Sequence, residues 1–95
     1  MNISIKKFIK SEKEAIKKDN LKIVGLRQQI SEYETVIDVI SQTESYRAIE
    51  IYREKIDRCL DKIAEYVDNI RHRENRIATM KKIDQVVKKG VKKSA

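Results

Sequence analysis

Isoleucine recurs at every seventh position along the first part of the chain, at Ile9, Ile16, Ile23, Ile30 and Ile37. The phase is then lost, and a second series runs Ile49, Ile56, Ile63, Ile70 and Ile77. An apolar repeat of seven sustained over five members puts one stripe on a helix and predicts a coiled-coil seam. Twelve positions separate Ile37 from Ile49, which no three- or four-residue insertion into a heptad explains. A chain reversal explains it. Between the series lies Ser41-Gln42-Thr43-Glu44-Ser45, where Ser41 and Glu44 have the spacing of a capping box that opens a new helix. Reversal about residue 43 brings together positions whose numbers sum to 86: Ile9 with Ile77, Ile16 with Ile70, Ile23 with Ile63, Ile30 with Ile56, Ile37 with Ile49.

The expected fold is all-α, an antiparallel two-helix coiled-coil hairpin formed by one domain over residues 1–95. Its first arm covers about 5–40, the turn about 41–45 and the second arm about 45–89, with a basic tail at 90–95. Gly90, preceded by Lys88 and Lys89, is the expected helix stop, and Val91 to Ala95 the frayed tail.

The second seam position is less regular. Three residues after each first-arm Ile stand Glu12, Asp19, Leu26, Tyr33 and Ile40, and the same sum sets them against Glu74, Val67, Leu60, Arg53 and Tyr46. These pairs are compatible near the turn and poor near the termini, so the seam is expected to be tight at the turn and looser at the open end. Asp19-Asn20 also reads as an N-cap, which predicts a break or kink in the first arm there. Tyr52, Cys59 and Tyr66 form a further stripe on the second arm, and Phe8, Ala15, Val24, Val36 and Val39 add apolar positions on the first. Two helices make a thin core for a chain of this size. The extra stripe therefore predicts self-association of two copies into a four-helix bundle, with Tyr52, Cys59 and Tyr66 at the homodimer interface.

Composition agrees with long helices. The 95 residues hold no Pro and two Gly, too few turn-makers for a β sandwich or a nucleotide-binding α/β fold. A single cysteine leaves no intrachain disulfide and no cysteine-based metal site, and suggests a reducing, cytoplasmic setting. No run of apolar residues is long enough for a membrane span or a signal peptide.

Charge changes the picture more. The chain carries a formal +7, and its distribution is uneven. Residues 1–18 and 71–95 hold fifteen Lys or Arg against four Asp or Glu, a net of +11, while residues 19–70 hold seven against eleven, a net of −4. Folded as a hairpin, the open end is basic and the turn end acidic. Lys6, Lys7, Lys10, Arg71, Arg73, Arg76, Lys81, Lys82, Lys88 and Lys89 are the candidate nucleic-acid-binding residues, through phosphate contacts without sequence reading. Aromatic residues are mostly elsewhere, so a single-strand stacking platform is not expected. Asn75 and Ala78 have the spacing found in the basic region of leucine-zipper factors, but Thr79, Lys82 and Ile83 depart from that pattern and nothing is carried over.

His72 between Arg71 and Arg73 has no companion ligand. No catalytic residue, metal site or cofactor is expected, because no convergent acid, base, nucleophile or metal set can be assembled. The expected function is that of a small non-enzymatic hairpin binding nucleic acid, or a machine that contains it, through its basic end. The alternative is a protein-interaction module (an adaptor, assembly factor or inhibitor) that grips a protein partner by the Tyr stripe or the acidic turn. Membrane association, through the short amphipathic stretch around Phe8, ranks below both.

Overall fold

The computed structural model describes residues 3–43 and 45–94, with side chains as far as residue 90. Those residues form an all-α hairpin of two helices packed against each other, α1 (Ile3–Ser41) and α2 (Tyr46–Ser94). Without proline, nothing removes a backbone donor inside either helix. α1 runs unbroken through Asp19 and Asn20, so the expected break is not made; the Asp19 carboxylate turns to α2 instead of capping. α2 likewise continues through Gly90 to Ser94, past the expected stop. A glycine permits a helix to end but does not oblige it to.

The bend is closed from the α1 side. Ser41 Oγ donates to the carbonyl of Asp38 at 2.8 Å and Thr43 Oγ1 to that of Ile40 at 2.7 Å. Backbone N–H groups of Gln42 and Thr43 donate to Val39 and Ile40. These bonds satisfy carbonyls that a helix C-terminus leaves without partners. Ser41 thus ends α1 rather than opening α2, and Ser45, whose carbonyl accepts from the Ile49 N–H at 3.2 Å, stands just before the first residue of α2. The capping-box partner Glu44 lies outside the described residues.

The chain divides into two compact units: Met1–Asp19 with Asp68–Ala95, and Asn20–Val67. In the first, Ile5, Ile9 and Ile77 form a buried cluster with Ile16 and Met80 packed on it. Ile9 and Ile77 meet as the Ile register requires. In the second, Ile23 and Cys59 are buried, and Ile30, Ile37, Ile49, Ile56 and Ile63 half-buried.

The second seam position differs from expectation on α2. Tyr46, Leu60 and Val67 are 77%, 50% and 39% exposed, and Arg53 and Glu74 are exposed too. Tyr52, Cys59, Tyr66, Arg73 and Met80 take their place, three residues after each Ile. Tyr33 and Tyr52 meet with ring centroids 5.8 Å apart, and Arg73 bonds Glu12 at 3.3 Å. On a helix the rows three and four residues beyond an Ile flank it on opposite sides, and α1 lies over the row at three. That row brings the arginine that reaches both Glu12 and Asp19. Tyr52, Cys59 and Tyr66 therefore belong to the intrachain seam, not to a stripe outside it. The buried apolar cluster also lies in the unit that holds the termini, opposite to the expected loosening there.

The shared burial of Ile9 and Ile77 has a measurable consequence. Each change to Ala should cost about 2–5 kcal/mol, and the double variant should lose less than the sum, because the two changes empty one cavity. Urea titrations followed by circular dichroism decide it, and strict additivity would mean the two side chains do not share a layer.

Candidate nucleic-acid interface

The unit made of Met1–Asp19 and Asp68–Ala95 contains fifteen bases and six acids, a net of +9, against −2 for Asn20–Val67. The structure sharpens this imbalance at the surface. Glu12, Asp19 and Asp84 turn inward, their side chains 12%, 13% and 7% exposed. Glu12 Oε2 accepts from Arg73 and from Arg76, both at 3.3 Å, Arg73 Nε faces Asp19 at 3.8 Å, and Lys88 Nζ lies 3.6 Å from Asp84. Of the six acids only Glu14, Asp68 and Glu74 are left exposed.

The bases go the other way. Lys6, Lys10, Lys13 and Lys17 follow one another at intervals of four, three and four, which puts them in one row along α1. With Lys81 of α2 they line an open groove of about 470 Å³ whose floor includes Ile9 and whose edge includes Glu14. The lysine stems form its walls while the ammonium groups reach water. At 1.5 Å per residue the row is about 16 Å long, the axial span of about five phosphates on one strand of duplex DNA. A second groove, of about 340 Å³, is lined by Phe8, His72, Asn75, Arg76, Thr79 and Met80.

The structure treats the predicted binding residues unequally. Lys6, Lys7, Lys10, Arg71, Lys81, Lys82, Lys88 and Lys89 are exposed. Arg76 is exposed by half although it bonds Glu12. Arg73 is corrected: it is set into the seam between Glu12 and Asp19 and is occupied there. Lys13 and Lys17 join the row although neither stood among the candidates. Their helical spacing from Lys6 and Lys10 was the signal, and it lies wholly before Asp19.

The chain matches no family model, no curated protein and no solved structure.

In Asn20–Val67, two bases are spent on tyrosine faces. Lys55 Nζ lies 4.9 Å from the Tyr52 ring centre and 5.7 Å from that of Tyr33, and Lys22 Nζ lies 5.3 Å from that of Tyr66. Such contacts hold an ammonium against the negative face of the ring. Cys59 Sγ faces Gln29 Oε1 at 3.8 Å. Among the described residues no three His, Cys, Asp or Glu gather as a metal site, and no helix is long and apolar enough to cross a membrane.

Proposed function

We propose that this protein is a non-enzymatic helical hairpin that binds nucleic acid through the phosphate backbone, using the lysine row of α1 and Lys81. One observation carries the reading: acidic side chains of this unit are drawn into the seam and neutralised, while lysines stand in a row outside. A surface sorted in this way presents a continuous positive potential, which attracts a polyanion and releases its counterions on contact. The row itself is made of lysines, which contact phosphate oxygens and carry no sequence information there. Two copies packed as a four-helix bundle belong to the same reading. The protein-interaction alternative loses its Tyr stripe, since Tyr52 and Tyr66 lie against α1.

Filter binding with duplex DNA and duplex RNA, from 50 to 200 mM salt, tests it. Affinity should fall about 10- to 500-fold over that range for some two to five phosphate contacts. No binding at 50 mM, or binding indifferent to salt, would sink the proposal.

A further inference from the structure

α2 outruns α1 at the open end. In the register that sets Ile9 on Ile77, Ile3 stands level with residue 83, and α2 runs on to Ser94. The stretch from Met80 onward is sorted around the helix. At about 100° per residue, Ile83, Val86, Val87 and Gly90 fall in one arc of about 100°, and Lys81, Lys82, Gln85, Lys88 and Lys89 in another of about 120°. Ile77 and Met80, which pack on Ile5 and Ile9, separate the two arcs on the side of α1. Ile83, Val86 and Val87 are 45%, 68% and 53% exposed, and among the described residues no other five in succession expose three large apolar side chains.

Charge is sorted with hydropathy. Residues 75–90 hold five bases and one acid. That acid, Asp84, is buried 3.6 Å from Lys88, so the surface of this stretch is cationic and apolar only. Lys82 and Lys89 border the apolar arc, where their stems can lie along it while the ammonium groups reach outward. Towards the hairpin, Arg76 and Thr79 continue the same arc and share the groove of about 340 Å³ with Phe8 and Met80. Lys81, in the cationic arc, lines the lysine groove instead, so the apolar arc and the lysine row occupy different flanks of the hairpin.

We infer that this end of α2 binds the surface of an anionic membrane, lying in the interface with Ile83, Val86 and Val87 among the upper acyl chains and Lys82 and Lys89 at the headgroups. A helix with an apolar arc and a lysine-rich opposite side suits the boundary of a bilayer, where buried apolar area and attraction to anionic lipid add. A nucleic-acid backbone would engage the lysines and leave Val86 and Val87 in water. A surface negative outside and apolar beneath answers both arcs at once. Each lysine near such a surface should add about fivefold to the partition coefficient.

Membrane binding on this flank does not depend on nucleic-acid binding, so the two fail separately. The full chain should co-sediment with vesicles of phosphatidylcholine and phosphatidylserine, and not with phosphatidylcholine alone. Val86→Gln with Val87→Gln keeps every charge, and Gln suits a helix better than Val. That variant should bind the anionic vesicles about tenfold more weakly or worse, because apolar burial is lost, with helicity and duplex DNA binding as in the wild type. Lys82→Gln with Lys89→Gln should weaken vesicle binding about 25-fold. The chain has no tryptophan, so Val86→Trp supplies a single reporter whose emission should shift to the blue on anionic vesicles. No co-sedimentation, equal binding to vesicles without phosphatidylserine, undiminished binding by the double Val variant, or an emission unmoved on binding would overturn the inference.

Discussion

Changing Arg73 to Met should destabilise the protein by about 3 kcal/mol, at the low end of the cost of removing one partner from a buried ion pair. Arg73 stands between Glu12 and Asp19, whose side chains are seven-eighths buried, while its own is 32% exposed. Glu12 keeps Arg76 when Arg73 is lost. Asp19 loses the cation nearest to it and is left in the seam with an uncompensated charge. The opposite result is expected when all three go. Glu12→Leu, Asp19→Leu and Arg73→Met together should match the wild type or exceed it by about 1–4 kcal/mol, since desolvating the charges has been avoided. Urea denaturation at neutral pH measures both. A single variant within about 0.5 kcal/mol of wild type, the scale of a solvated surface pair, would show that water reaches this layer freely.

Neutralising the lysine row should have the largest effect on binding. Lys6, Lys10, Lys13 and Lys17 all changed to Gln should weaken nucleic-acid affinity by at least tenfold at 50 mM salt. The salt slope should fall by about 0.9 for each phosphate contact removed. Gln forms helix about as well as Lys and these positions are exposed, so helicity should hold. A control of equal charge change separates the row from net charge. Arg27, Arg47, Arg53 and Arg58 are exposed in Asn20–Val67, and their change to Gln should alter binding much less. Equal losses in the two variants would mean that the lysine row has no special part.

The Ile series made the hairpin legible, because a seven-residue repeat that stops and restarts twelve positions on fits a chain reversal and no simple insertion. Ile9 and Ile77 meet as its arithmetic requires. The neighbouring row was not legible in the same way. Mirroring the first arm selects residues four beyond each Ile, and the helix uses those three beyond. Both choices are apolar at Cys59 and Leu60 and at Tyr66 and Val67, so hydropathy does not separate them. Charge does: only the row at three offers Arg73 to Glu12 and Asp19. The same pairing removes the reason for a break at Asp19-Asn20. The basic end was legible from counting, but its sorting was not, since spacing shows which residues share a face and not which acids find cations across the seam.

Those ionic contacts also bear on how the chain finds its alignment. Ile positions spaced by seven are interchangeable marks: sliding one helix past the other by a heptad sets Ile against Ile again, and moves the bend by only half a heptad. The charged layer has no such translational symmetry. In one slipped alignment Glu12 would face Met80, and in the other Asp19 would face Cys59, each a carboxylate set against a side chain that cannot neutralise it. Arg73 with Glu12 and Asp19 thus acts as the index that tells equivalent layers apart, much as a polar residue fixes register in a coiled coil. Stability and uniqueness should then part company in the all-apolar triple variant: a chain harder to unfold, yet spread over several alignments in slow exchange, with more amide resonances than residues.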